Sequence, residues 1–362
     1  MDIVNFKSEM PAEETVRIPA GKLIDFTYQT FKRVGAPEAD AKLIAESFID
    51  SDLRGVYSHG IMRLPIYIHH CRKSGPGGIN PRAAVRIVKE GLSFAHVDGD
   101  NGMGHLVSIR AMEIAMAKAE KTGMAFVSVY NSNHNGAEGY FAKLAADRGM
   151  IGFFVTVGGR NIIAPTGGLT PLLGNNPFAY AIPAKRHYPV VLDMACSVVA
   201  RGWILLAIKN GLKVPDGWAV DRDGNPTNDA REAYDGLVLP FGGYKGYALT
   251  LIGCILGGVL SGAAIGKEVT DLYGDFDRDQ NVGHFMWALD LKSILPPDDF
   301  MERMDSLIDE LKASRLAEGI ERIYVPGEKE FLVKEENERL GIPVTLGVLK
   351  ELNSMGDMKI SV

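Results

Sequence analysis

The chain of 362 residues is longer than a single-core domain usually grows, so two packed subdomains are expected, with 46% hydrophobic and 23% charged residues to build their cores. Its 39 basic residues stand against 45 acidic ones, a net charge of −6, and no run of clustered Lys and Arg is interleaved with aromatics, which argues against nucleic acid as a partner. Cys71, Cys196 and Cys254 lie far apart in apolar or helical sequence, form no metal-ligand or redox spacing, and read as buried thiols of a reducing compartment.

The opening stretch MDIVNFKSEMPAEETVRIP contains acidic residues and no apolar segment, so it does not read as a secretory signal and a cytoplasmic address follows. Two helices come next: KLIDFTYQTFKRVG, stopped by Gly35, and PEADAKLIAESFIDSDL, opened by Pro37 with acids in its first turn. They predict a helical hairpin. Ile87 to Val97 reads as strands, and HLVSIRAMEIAMAKAEKTG puts Ile109, Met112, Met116 and Ala119 on one helical face with Gly123 as its stop. MAFVSVY is a strand, NSNHNG a loop, YFAKLAADRG a helix, and IGFFVTV a further strand. VVLDMACS is an apolar strand interrupted by Asp193, where a carboxylate must be hydrogen-bonded or lose its charge.

Residues 246–266 carry no charge and are long enough to span a bilayer, but hold six glycines. A buried helix with close backbone approaches is the preferred reading, so no membrane partner is expected. VGHFMWALDL reads as another strand, 296–318 as an amphipathic helix, and RIYVPG as a short strand before two more helical segments. Helices dominate both chain ends and strands the middle.

No G-x-G-x-x-G follows a strand, GAAIGKE falls short of a phosphate loop, and no zinc, calcium or serine-hydrolase motif occurs, so no metal is expected. What remains is a set of polar residues flanked by glycines. In GVYSHGIMR and the residues after it, a helical path would put His59, Arg63 and Tyr67 on one face, whereas a turn followed by a helix starting near Pro65 keeps His59 and Arg63 close by another route. An arginine fork matches a carboxylate, and an imidazole beside it can transfer a proton. Equally, Ser58 would make a helix cap, His59 a carbonyl bond and Arg63 a structural ion pair. His134 lies in a loop between a strand and a helix, a common place for chemistry and also good turn composition. Lys245 precedes an apolar helix where it could meet a phosphate.

In their order and spacing, RGVYSHGIMRLPIY, VDGDNGMG, NSNHNGAEGY, GNNPFAYAIP, VVLDMA, LPFGGYKGYALTL and PGEKE resemble the malate/L-lactate dehydrogenase type 2 family of NAD(P)-dependent oxidoreductases, from about residue 20 to 345. The resemblance implies a mixed α/β fold that is not of Rossmann type. A largely antiparallel mixed sheet would form a cofactor domain, residues 86–291, and a helical domain for dimerisation and substrate would come from both chain ends, residues 1–85 together with 292–362. It implies a homodimer, a nicotinamide cofactor (NAD or NADP) and a small carboxylate substrate, a 2-oxo acid interconverted with its 2-hydroxy acid. Cyclic imino-acid (piperideine- or pyrroline-2-carboxylate) reduction is an alternative, and a carboxylate-binding protein without catalysis is a third.

Residue by residue, the resemblance makes His59 and His134 the catalytic acid/base candidates and Ser58, Arg63 and Tyr67 the substrate contacts. Gly174, Asn175, Asn176, Pro189, Val190, Val191, Leu192, Asp193, Met194, Ala195, Tyr244, Lys245, Gly327, Glu328 and Lys329 become the cofactor contacts. Asn175 where the family usually has Thr, Asn135 after the histidine, and TVGGRN at 156–161 depart from the pattern, and Arg160 becomes either a second cation for the substrate or a surface loop residue.

Overall fold

A computed structural model describes residues 14–356 and 358–361. Residues 1–13, most of the stretch read for a secretory signal, lie outside the described residues. Strand β1 (Thr15–Ile18) leads into α1 (Ala20–Arg33) and α2 (Glu38–Leu53), the expected hairpin. Leu23, Phe26 and Phe31 of α1 pack inward, while Lys32 and Arg33 sit at the end where cations favour the helix dipole. Two single turns of 3₁₀ helix, Tyr57–His59 and Ile61–Arg63, then run into α3 (Leu64–Arg72). Of the two paths left open by the sequence, the chain takes the turn followed by a helix, with Pro65 in the first helical turn where a missing N–H costs nothing.

β2 (Arg86–Glu90), β3 (Phe94–Asp98), α4 (Gly104–Thr122), β4 (Met124–Ser132), α5 (Glu138–Ala146), β5 (Met150–Thr156), β6 (Phe178–Ile182) and β7 (Val190–Met194) follow. A small unit comes next: α6 (Arg201–Asn210), β8 (Ala219–Val220), β9 (Pro226–Thr227), α7 (Ala230–Asp235) and β10 (Leu237–Val238), with its own buried cluster around Ile204 and Trp218. α8 (Tyr244–Cys254), β11 (Val282–Asp290), α9 (Pro297–Lys312), α10 (Glu328–Leu340), β12 (Ile342–Thr345) and α11 (Leu346–Ser354) complete the described chain.

The main sheet has seven strands in the order β2-β3-β4-β11-β5-β6-β7, and only β3 and β4 run parallel. This is the mixed, largely antiparallel sheet that the resemblance implies. Because side chains alternate across a strand, Val127, Val129, Phe154, Met286 and Ala288 face α4 and α5 and are sealed off. The other set forms two groups of ring contacts, Phe94–Phe126–Phe285 and Phe153–Trp287–Tyr180, with centroids 4.8 to 5.9 Å apart. A second core joins both chain ends: Ile18 on β1 pairs with Ile342 on β12, and Phe31, Phe48, Leu64 and Leu352 pack with them.

Two expectations change. RIYVPG is not a strand: its one backbone bond to the sheet is Val191 N–H to the Pro326 carbonyl at 3.0 Å, after which Gly327 turns the chain into α10. The apolar stretch 246–266 is not a wholly buried helix. Gly253 and Gly257 bring one face of α8 and the following π-type turn (Ile255–Val259) down on Val155, Val157 and Gly283, but Leu249, Ile252, Ile255 and Val259 stand 41 to 56% exposed on the other. Among the described residues no helix is long and apolar enough to cross a membrane. All three cysteines are buried and unpaired.

Candidate active site

The turn carrying Ser58, His59 and Arg63 is fixed from beneath. Asp52, buried near the end of α2, accepts the Ile61 N–H at 2.7 Å. Gly60 is required because a Cβ there would come within 1.9 Å of the same carboxyl. Burial pushes Asp52 up to about 8, against the pull of the Ile61 hydrogen bond, so the group is a neutral carboxylic acid at neutral pH. Above it, Arg63 donates from Nε to the Ser58 carbonyl at 2.7 Å and lays its guanidinium 4.9 Å over the Tyr273 ring. An arginine held in one orientation is what a carboxylate clamp needs.

The β4–α5 loop brings the second imidazole to the first. The His59 and His134 rings are parallel within 6°, with centroids 6.1 Å apart. Desolvation and the nearby Arg63 push His59 down to about 4. Desolvation also holds His134 well below the usual range, helped by His59, His105, Arg63 and His284. Both rings are neutral at neutral pH, ready to accept a proton or to donate a hydrogen bond. Tyr67, expected to touch substrate, is instead buried, with its hydroxyl against His134 Nδ1. His284 has no place in the chemistry, since Thr156 and Ser132 engage both its nitrogens below the surface.

Ser58 and His59 open onto a cleft of about 670 Å³, whose other walls are Asn175, Val191 to Ala195, and Gly327 with Lys329. That volume lies within the roughly 300–1,000 Å³ of small-molecule and cofactor sites. Sequence reasoning missed Arg54, Glu138, Tyr324 and Glu330 in its lining. Arg54 and Glu138 are nearly sealed, and Glu138 is driven well above the carboxylate range by burial and by Asp193, so it is the protonated member of that pair. Asp193 is open to the cleft rather than buried in its strand, and accepts the Gly139 N–H at 2.8 Å. Arg54 opens RGVYSHGIMRLPIY and Glu138 lies in NSNHNGAEGY, so both stood inside stretches that carry the resemblance without being given a role.

Other expected contacts fall elsewhere. Asn176 is buried with φ +28°, accepting from Gly158 N–H and donating to the Thr250 carbonyl, each at 2.8 Å, while Thr250 holds the Gly174 carbonyl. These two brace the cleft from behind. Pro189 and Val190 precede the lining part of β7. Tyr244 and Lys245 are exposed at the start of α8, just after a segment joined to the chain beyond β7 by Phe241 N–H to the Cys196 carbonyl at 3.0 Å and Val198 N–H to the Leu239 carbonyl at 2.9 Å. Glu328 is buried under the rim, gripped by Lys312, Arg322 and the Val325 N–H, and is not available to a ligand. Arg160 pairs with Asp271 at 2.6 Å, its side chain 45% exposed.

The family profile described as malate/L-lactate dehydrogenase matches residues 18–353. The chain belongs to that family. It is a dehydrogenase that interconverts 2-hydroxy and 2-oxo acids with a nicotinamide cofactor. A malate dehydrogenase of Pyrococcus horikoshii is 40% identical over 351 residues, 95% of each chain. The solved sulfolactate dehydrogenase of Methanocaldococcus jannaschii superposes with a TM-score of 0.87 at 37% identity, covering 94% of this chain and 96% of that one. A Pseudomonas putida reductase of pyrroline-2-carboxylate and piperideine-2-carboxylate is 31% identical over 353 residues, 94% of this chain and 98% of its own. In this family member the cleft fits the cofactor: an apolar shelf of Val191, Leu192 and Met194 meets polar Lys329 and Glu330 on one wall and Ser58 and His59 on another, with the His134 ring parallel to that of His59.

Proposed function

We propose that hydride transfer takes place where the cleft meets the two imidazoles, on 2-hydroxy and 2-oxo acids of the malate and sulfolactate type. The observation that carries this reading is His59 on the cleft walled by β7, its ring parallel to that of His134 with centroids 6.1 Å apart and close enough to Arg63 to feel its charge. A dihydronicotinamide held in the cleft would supply the hydride for the substrate C2. Arg63 holds the substrate carboxylate and so orients the carbonyl. His59 exchanges a proton with the substrate oxygen, assisted by His134. Burial is the larger cause of the lowered His59 pKa and Arg63 the smaller; a clamped carboxylate offsets the Arg63 charge and so favours the protonated ring that reduction needs, while without substrate the neutral ring is the base that hydroxy-acid oxidation needs.

Residues 1–85 with 292–362 serve as the helical substrate and dimerisation domain, and 86–291 as the cofactor domain. The exposed apolar stripe of α8, which belongs to the cofactor domain, supports a homodimer whose interface extends beyond the helical domain, and three buried thiols support a cytoplasmic address. Lys329 beside Glu330 at the rim serves both cofactor forms, a cation for a 2′-phosphate and an acid for a free ribose hydroxyl.

A second reading, reduction of a cyclic imino acid, is favoured by the neutrality of both imidazoles, since a protonated imine brings its own proton. An absorbance assay of oxaloacetate, sulfopyruvate and piperideine-2-carboxylate with NADH and with NADPH tests both. Turnover of the oxo acids is expected; turnover of the imino acid alone would replace the first reading with the second.

A further inference from the structure

The two imidazoles are held in different ways. His59 Nδ1 lies 2.9 Å from the hydroxyl of exposed Ser58, a group that donates or accepts by rotating, so either tautomer of His59 is satisfied. His134 Nδ1 is approached by the Tyr67 hydroxyl and, at 3.3 Å, by the Gly136 N–H. A backbone amide only donates, so Nδ1 must present its lone pair there. In a neutral ring that places the proton on Nε2, and the Tyr67 hydroxyl donates as well. Nε2 makes no hydrogen bond among the described residues and is not among the sealed, unpartnered buried atoms, so it faces open space. The Tyr67 ring cannot turn away: Phe48 and His105 pack edge-on against it with centroids 5.3 and 5.4 Å distant.

We propose that Tyr67 is a positioning residue that locks His134 as its Nε2–H tautomer, making His134 the standing hydrogen-bond donor to the substrate oxygen and leaving proton exchange to His59. The assignment rests on the dehydrogenase reading for its purpose but not for its geometry. It differs from a substrate contact by Tyr67, because a 1% exposed side chain whose hydroxyl is engaged by His134 reaches substrate only through that ring.

The test is ¹⁵N NMR of the histidine rings in the ligand-free protein at neutral pH, wild type and Tyr67→Phe, with the His134 signals assigned by their loss in His134→Gln. Phenylalanine keeps the buried ring and removes only the hydroxyl. The expected result is a protonated Nε2 and bare Nδ1 in the wild type, a partial shift toward the Nδ1–H tautomer in Tyr67→Phe, where only the longer 3.3 Å Gly136 contact still favours the bare Nδ1, and a kcat for oxo-acid reduction lower by about tenfold with KM within about twofold. A wild-type ring protonated at Nδ1 overturns the proposal. So does a Tyr67→Phe protein with unchanged tautomer and kcat, or one with raised KM and intact kcat, which would make Tyr67 a substrate contact. Failure of the dehydrogenase reading would appear as no turnover in the wild type, while the spectra would still report the tautomer.

Discussion

Around the imidazoles, the groups that hold the site have fixed partners: Asp52 under the turn, the Ser58 carbonyl on Arg63, Tyr67 and Gly136 on His134; His105 and the Gln280 amide nitrogen, buried close by, lack a hydrogen-bond partner among the described residues. At the rim, Tyr324 and Lys329 are exposed, Lys329 rests 4.9 Å over the Tyr324 ring, and the 320–326 segment meets the sheet through one backbone bond. Only Glu328, buried beneath it, pins that segment firmly. The contrast separates two tasks. Chemistry needs groups preorganised in a low-dielectric setting, whereas nucleotide admission and release need a wall that gives.

If that division is right, substitutions around the imidazoles change turnover and substitutions at the rim change cofactor affinity. The largest effect is expected for His59→Ala, a loss in kcat of roughly a hundredfold or more with the cofactor KM unchanged in steady-state assays. Intact turnover there, with His134→Ala inactive, would move the proton-transfer role to His134. Next comes Arg63→Ala: loss of a charge-assisted clamp of about 1.5–3 kcal/mol should lower kcat/KM for the oxo acid by about 10- to 100-fold. Loss of cofactor binding in that variant would break the comparison.

A third expectation concerns stability rather than rate. The folded-state pKa of Asp52 is raised from 3.8 to about 8, so the folded chain retains a proton that the unfolded chain releases, and this carboxyl's contribution falls as pH rises from about 4 to about 8. Asp52→Asn keeps an acceptor for Ile61 without the titration. Its urea midpoint relative to wild type should therefore climb across that window, and a constant difference would show that Asp52 does not change its charge there. The smallest effect is expected for Lys329→Ala, an exposed cation worth about 0.2–1 kcal/mol, which should raise the KM for NADPH by no more than about fivefold and leave kcat alone.

Much of this was legible beforehand because local pattern and tertiary role coincided. The helical hairpin, α4, β4 and β11 carry their periodicity openly, and the spacing of SHG-x-x-R brought His59 and Arg63 together as read. Where the sequence misled, the deciding interaction was distant in the chain. Glu328 was carried over with the PGEKE resemblance as a cofactor contact, but Lys312 and Arg322 draw it under the loop. Tyr67 was placed on substrate from its position after Arg63, yet its partner lies 67 residues away. Asp193, by contrast, was read as a carboxylate that must be hydrogen-bonded or lose its charge, and on the outermost strand it does accept the Gly139 N–H.

The order of the main sheet sets a schedule for making it. β4 and β5 follow one another in the chain but are separated in space by β11, whose residues emerge from the ribosome more than a hundred positions later. Until that strand inserts, two apolar borders stand unpaired on the growing chain, and closing them is a long-range, slow event. Nascent chains halted before residue 282 should therefore be the ones that chaperones retain, and the last strand to arrive is the one that zips the domain shut.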